Sequence, residues 1–223
     1  MNIFDILGPV MVGPSSSHTA GAVRIGYIAT RLLQEEVDSV QISLHGSFAT
    51  TGVGHGTDKA IIAGILGMHP DDIRIPQSFE LAKERDLQFS LDQVTLRDAH
   101  PNTALLRLRG KKGRELEVQA SSIGGGRIMV NKIDGIEVNF SAEKPTLIVH
   151  NQDQPGHVAE ATSMLSHKSV NIATIHLNRD KRGGYAVMVI ETDQAVPEEA
   201  IKWLEHLEGI IKVTYINVEE NVK

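Results

Sequence analysis

Apolar and polar residues alternate with two different periods along this chain, and the switches between them mark its elements. Over residues 20–37 the apolar Val23, Tyr27, Ile28 and Leu32 recur near helical spacing, which predicts a helix. Val40, Ile42 and Leu44 then alternate with polar neighbours, as in a half-buried strand. Residues 46–56 are rich in glycine and read as a loop leading to Thr57 as a helix N-cap. Asp58 falls in the first turn, where negative charge is tolerated best, and an apolar helix follows from Lys59 to near Gly67. Residues 77–91 are expected to form a surface helix and loop. Alternation on both sides of Gly110-Lys111-Lys112-Gly113 predicts a hairpin over 106–120 with Arg107, Arg109, Glu115 and Glu117 facing water. Asp134-Gly135 predicts another turn, between strands Arg127–Ile133 and Ile136–Phe140.

The texture changes near residues 141–145. A short apolar strand over 146–150 is followed by the turn Asp153-Gln154-Pro155-Gly156 and a helix over 157–168. Strands over 171–177 and 185–191 flank a turn at Arg182-Gly183-Gly184. Pro197 sits in the first turn of a helix, where its missing N–H costs nothing, and Ile201, Leu204 and Leu207 share one face of that helix. A last strand over 210–218 closes the sheet. Strand, helix, strand, strand, helix, strand is the order of a ferredoxin-like split βαβ unit, so the fold class is α+β. The alternating Ile172, Val187, Val189, Val213 and Tyr215 are numerous for a small domain, which predicts self-association through this part of the chain.

Composition removes several classes of chemistry. With 223 residues, 41% of them hydrophobic, the chain is long enough for two ordinary domains. It has no cysteine, so disulfides, a thiol nucleophile and thiolate-held zinc or iron–sulfur centres are excluded within it. A formal net charge of −6 argues against nucleic acid or an anionic membrane as the partner. Residues 1–12 carry Asp5 and Pro9 with no basic start and do not read as a signal peptide; the longest apolar run, over 60–68, is too short to span a bilayer. A cytoplasmic protein is expected.

Three stretches carry candidate chemistry. Gly13-Pro14-Ser15-Ser16-Ser17-His18-Thr19 places three serine hydroxyls, Thr19 and an imidazole at a helix start, where unpaired N–H groups favour an anion. No Gly-Lys-Ser/Thr ends it, so it is not a nucleotide phosphate loop. A serine-rich loop that only caps its helix is the plainer alternative. The second stretch is 46–58, in which Ser47, Thr51, Gly52, Gly54 and Thr57 surround His55 at another helix entrance. A flexible turn with a surface histidine is the alternative there. The third is Ser121-Ser122-Ile123-Gly124-Gly125-Gly126, whose consecutive glycines suggest a backbone nest for an anion. Ser16, His18 and Asp58 suggest a hydrolase triad on paper, but no Gly-x-Ser-x-Gly elbow supports it. His45, His69, His100, His167 and His206 show no metal-ligand spacing and read as structural or exposed.

The paired strings Gly13 to Thr19 and Gly46 to Asp58 resemble the β subunit of bacterial iron–sulfur L-serine dehydratases. The segment from Pro145 resembles an ACT domain, whose usual turn matches Asp153 to Gly156. The resemblance implies two domains, residues 1–142 (serine dehydratase beta, similar to the allosteric substrate-binding domain of some phosphoglycerate dehydrogenases) and 145–223 (ACT). It implies dehydration of L-serine to pyruvate and ammonia in serine catabolism, with a 4Fe-4S cluster held by a cysteine-bearing α subunit. His18 and His55 become catalytic, with the base unassigned between them. Ser15, Ser16, Ser17, Thr19, Ser47, Thr51, Gly52, Gly54, Thr57 and Gly124 to Gly126 become substrate-binding, and no metal is held by this chain. Asn151, Asp153, Pro155, Gly156, His157, Val158, Asn171 and Ile172 become an effector or dimer edge. The competing readings are a non-catalytic serine sensor and a stand-alone metal-dependent lyase, the latter short of further ligands.

Overall fold

The computed structural model describes residues 10–217, so the expectations for the apolar segment 1–9 and for Val218 lie outside the described residues. The chain divides into two compact units, 1–135 and 136–223.

In the first unit, a π-helical turn Ser16–Gly21 runs into α1, Ala22–Leu33, which ends on Gln34 in the left-handed conformation. Strand β1 (Val37–Gly46) follows, then helices α2 (Ser47–His55) and α3 (Thr57–Ile65). A short 3-10 turn, Ile75–Gln77, leads into α4 (Ser78–Glu84) and β2 (Gln88–Gln93). Strands β3 (Asn102–Gly110), β4 (Glu115–Gly124) and β5 (Arg127–Ile133) complete the unit. The strand order within it is β2-β1-β3-β4-β5, with β1 parallel to β2 and antiparallel to β3. Leu106 and Val118 are neighbours in register on β3 and β4 and are fully buried, whereas Arg107 and Glu117, one position along, form an exposed ion pair at 2.7 Å. That alternation is the one the hairpin pattern predicts.

Helices α1 and α3 approach each other through glycines. A β-carbon on Gly26 would lie 2.1 Å from the Ile61 carbonyl oxygen, and one on Gly64 would lie 1.9 Å from that of Val23. Backbone meets backbone there, which buries Ile25, Ile28, Ile61 and Ile62 tightly around the contact.

Two expectations fail here. Residues 46–56 do not form a glycine-rich loop: Ser47–His55 is helical, held at its start by the Ser47 N–H donating to the Pro101 carbonyl at 2.8 Å. Its glycines lower helix propensity, but tertiary contacts, with Phe48 wholly buried, override that local preference. Within 77–91 the expected loop conceals the start of edge strand β2, whose alternation is brief, resting on Phe89 and Leu91 alone, and whose residues are mostly exposed.

The second unit opens with β6 (Ile136–Phe140). Its sheet then runs β7 (Thr146–Gln152), α5 (His157–His167), β8 (Ile172–Arg179), β9 (Tyr185–Thr192), α6 (Glu198–Glu205) and β10 (Ile210–Ile216), in the order β10-β7-β9-β8, all antiparallel. This is the expected ferredoxin-like arrangement. Leu147, Val149, Met188, Ile190 and Val213 pack with Leu165 and Leu204 of the two helices. Val187, Val189 and Val213, expected to await a partner, are already buried within the chain, and Ile172 and Tyr215 pack partly against this core. The exposed apolar side chains of this sheet are instead Ile175 and Leu177 on edge strand β8, and Ile211 on β10.

Candidate functional site

The π-helical turn builds the first half of the site. Ser15 is its N-cap, and the Ser15 hydroxyl accepts from the His18 backbone N–H at 3.2 Å. The wide turn packs flush on β4, because a β-carbon on Gly21 would sit 2.1 Å from Ser122 Oγ. Only glycine permits that approach, and single π-turns of this kind are frequent at functional sites. Thr57, buried at the start of α3, donates its hydroxyl to the His18 carbonyl at 3.0 Å. Thr57 is therefore not the expected N-cap; Gly56, at φ +70°, holds that position, and the Thr57 hydroxyl ties α3 to the π-turn instead.

Helix α2 supplies the second half. His18 Nε2 lies 3.1 Å from Ser47 Oγ and 3.1 Å from Thr51 Oγ1, which are one helical turn apart and 3.2 Å from each other. Residues four apart on a helix share a face, so the two hydroxyls meet the same ring. His55, one turn further along, bonds through Nδ1 to the Thr51 carbonyl at 3.0 Å. The His18 and His55 rings stand 5.1 Å apart, and the edge of buried Phe48 closes the other side of His18 at 5.3 Å. Burial, and then the neighbouring His55, hold His18 below the usual imidazole value; its bond to Ser47 opposes this in part. His18 is thus neutral at pH 7, able to exchange protons within a hydroxyl network.

Sequence-predicted residues divide accordingly. The structure gathers Ser15, His18, Ser47, Thr51, His55 and Thr57. Ser16 and Ser17 sit half-buried in the same turn, but Thr19 is turned inward and buried. Its hydroxyl and that of Ser122 have no hydrogen-bond partner among the described residues. Gly52 is buried inside α2, and Gly54 is exposed on it, so neither offers the loop backbone expected of it. Gly124 ends β4 at φ +97°, and Gly125 and Gly126 form the β4–β5 turn at φ +62° and +75°. The Arg24 guanidinium donates to the Gly126 carbonyl from α1 at 3.3 Å. The hydrolase triad is not assembled, since the partners of the His18 ring are hydroxyls and Asp58 accepts from the Lys59 N–H. Phe48 and Gly21 were missed by sequence reasoning. The signals were present in the small-residue run Ala20-Gly21-Ala22 and in the one aromatic among the hydroxyls of 47–51.

In the second unit the expected edge splits. Asp153 accepts from Arg179 at 2.6 Å and from the Gly183 N–H at 2.8 Å, which hold its carboxyl below the usual carboxylate range. Pro155, Gly156 and Val158 are exposed at the start of α5; Asn151 and His157 are buried, with Asn151 Oδ1 and both His157 ring nitrogens lacking a hydrogen bond among the described residues. Glu160 Oε2 stands 3.5 Å from His157 Nδ1, an ion-pair distance rather than a hydrogen bond. Asn171 instead bonds Gln194 and Asp193, and Ile172 pairs with Thr192. Asn151 lies in register with Ala186, and Ala186 with Arg179, so the two groups occupy opposite ends of the sheet, separated by the length of α5. At 1.5 Å per residue that helix spans roughly 16 Å.

The residues present do not fit an iron–sulfur cluster. The sequence has no thiolate to offer, and among the described residues no three His, Asp or Glu side chains gather as a metal site. Nor is any described helix long and apolar enough to cross a membrane.

The family model described as "Serine dehydratase beta chain" matches residues 2–133, and the one described as "ACT domain" matches 145–208. The "Probable L-serine dehydratase, beta chain" of Bacillus subtilis (strain 168) is 40% identical, covering 96% of this chain and 97% of that protein. The "L-serine dehydratase, beta chain" of Peptoniphilus asaccharolyticus is 38% identical over 96% of this chain and 97% of its own. The "D-3-phosphoglycerate dehydrogenase" of Bacillus subtilis is 24% identical over 88% of this chain and 37% of that longer protein. With its π-turn histidine, its hydroxyl-bearing α2 and its C-terminal βαββαβ sheet, the chain belongs to the serine dehydratase beta-chain family and carries an ACT domain.

Proposed function

We propose that this chain is the β subunit of an L-serine dehydratase that converts L-serine to pyruvate and ammonia in the cytoplasm. The observation that carries the reading is the convergence of His18 and His55 with the hydroxyls of Ser15, Ser47 and Thr51 on one partly exposed rim. Two imidazoles 5.1 Å apart can manage both a proton taken from the substrate and a proton returned to it. Hydroxyls beside them suit the carboxylate and hydroxyl of a small amino acid. A purely regulatory serine sensor has use for the hydroxyls but little for the imidazole pair.

The chain cannot supply thiolates, so the cysteine-bearing α subunit is the proposed holder of a 4Fe-4S cluster. That group, when bound by the partner, supplies Lewis-acid assistance to the leaving hydroxyl. The isolated chain is accordingly expected to bind no iron and to form no pyruvate from serine. Anaerobic mixing with the α subunit should restore both cluster absorbance and turnover. Serine turnover by this chain alone would overturn the proposal.

The proposal extends to assembly. Ile175 and Leu177, about 40% and 46% exposed on edge strand β8, support self-association through the ACT sheet. Placing lysine at both positions is expected to lower the mass of the assembled enzyme in light scattering. An unchanged mass removes that role from β8.

A further inference from the structure

We infer that His45 is a positioning residue for the reaction: its ring anchors the 94–101 connection, and that connection sets where α2 begins and so where Ser47 meets His18. The inference rests on the lyase reading above and goes beyond it, because among the described residues the His45 ring bonds backbone of Val94 and Leu96 and no side chain of the rim.

His45 is the penultimate residue of β1 and lies in register with Thr103 on β3. The Leu96 N–H donates to His45 Nδ1 at 3.2 Å, and the Val94 carbonyl stands 3.3 Å from the same nitrogen. One nitrogen cannot serve both. A backbone N–H always carries its proton, so the Leu96 bond needs the lone pair on Nδ1, whereas the Val94 contact needs a proton there. An orphaned N–H is the rarer defect, since a carbonyl has two lone pairs and is more often left under-satisfied. The ring proton therefore sits on Nε2, and Nδ1 holds Leu96.

The other end of the connection caps α2. The Pro101 carbonyl accepts from the Ser47 N–H at 2.8 Å and from the Phe48 N–H at 3.4 Å, two of the first-turn donors that a helix cannot satisfy itself. Close packing keeps it there: a β-carbon on Gly46, at φ +58°, would lie 2.6 Å from the Pro101 carbonyl oxygen and 2.9 Å from its Cα. Thr103 donates its hydroxyl to the His100 carbonyl at 2.5 Å, and the Asn102 N–H donates to His100 Nδ1 at 3.1 Å. The connection is thus tied at Leu96 by His45 and at His100 by Thr103, two register partners on adjacent strands. Gln93, just before it, donates to the Ala49 carbonyl of α2 at 3.3 Å.

Ser47 carries the consequence. It is the first residue of α2, its N–H is held by Pro101, and its hydroxyl stands 3.1 Å from His18 Nε2. Thr51, one turn on, meets the same nitrogen at 3.1 Å. A shift of about 0.5 Å at the start of α2 takes such contacts to about 3.6 Å, where no hydrogen bond remains. Releasing Leu96 frees the connection, and with it the Pro101 carbonyl, to make that shift.

The test compares His45→Asn and His45→Leu, both in the enzyme reconstituted with its α subunit and in the full chain by itself. Asparagine keeps an acceptor, Oδ1, two bonds from the β-carbon as Nδ1 is, and leucine offers none. His45→Asn should turn over about as fast as wild type. His45→Leu should lose ~10-fold in kcat, a fraction of the ~100-fold that a misplacement of about 1 Å costs. In proton–nitrogen NMR spectra of the full chain, the His18 ring signals should stay in place for His45→Asn and move for His45→Leu. Wild-type kcat with unmoved His18 signals in His45→Leu overturns the inference. So does a His45→Asn enzyme as impaired as His45→Leu, or a His45→Leu chain that no longer folds, because the ring would then serve the fold and not the site. No pyruvate from the reconstituted wild-type enzyme, with the His18 signals still moved by leucine, sinks the lyase reading and leaves the placement of His18 by His45 intact.

Discussion

Replacing His18 or His55 by alanine is expected to lower kcat by two orders of magnitude or more while the subunit still folds and engages its α partner. A positioned general acid or base contributes about 10²- to 10⁴-fold, so ~100-fold is the low end of what either imidazole should supply. The fold has no comparable stake in either side chain. His55 is exposed on α2 and, among the described residues, its ring bonds a carbonyl of its own helix. His18 is anchored through its main chain, whose N–H donates to Ser15 and whose carbonyl accepts from Thr57; neither bond involves the ring. Ser47 and Thr51 are already 3.2 Å apart and can bond each other when the His18 ring is gone. Steady-state turnover of the reconstituted enzyme measures the loss, and co-elution with the α subunit tests integrity. Near-normal kcat in both assembled variants would give the site to a sensor.

The second large effect concerns stability. Gly64→Ala is expected to destabilise the first unit by about 3 kcal/mol, at the upper end for overpacking. The added methyl would lie 1.9 Å from the Val23 carbonyl oxygen, which is backbone and cannot rotate aside, so α1 and α3 must move apart. Separating them opens the contact around Ile61 and Ile62 and pulls on the π-turn that α1 continues, displacing His18. Gly54→Ala is the matched control: its β-carbon meets nothing within 4 Å, and alanine in a helix gains about 0.5–1 kcal/mol over glycine. Urea unfolding followed by circular dichroism is the suitable measurement. The single tryptophan, Trp203, lies in the second unit and would report the wrong part of the chain. Equal midpoints for the two variants would refute the close-contact account.

Legibility in the sequence followed the strength of the local signal. The ACT elements were readable because each has one apolar face with a clear period, and each turn carries its own glycine, proline or aspartate. The β3–β4 hairpin was readable for the same reason. Strand β2 was hidden because its alternation is only two apolar residues long, Phe89 and Leu91, in an otherwise polar and mostly exposed edge strand. Helix α2 was misread because Gly52 and Gly54 weaken its local preference, and its stability comes from Phe48 buried beneath it and from Pro101, more than fifty residues away, receiving its first N–H groups. No local window contains that information.

By itself the sequence determined which groups this protein has to work with. It supplies two histidines set among hydroxyl residues, no thiolate to hold a cluster, and a C-terminal pattern that folds as a split βαβ sheet. Those are matters of residue type and period, which local physics decides. Only the tertiary structure decided that His18 and His55, thirty-seven positions apart, share one site, since that depends on how the π-turn seats on β4 and how α2 leaves β1. It alone separated the residues that line the rim from Thr19 and Gly52, buried beneath it, and it alone fixed which ring nitrogen keeps a free lone pair. Proton placement is set by which oxygen ends up three ångströms away: for His18 those are hydroxyls of α2, packed against it from about thirty residues along the chain, whereas for His55 it is a carbonyl of its own helix.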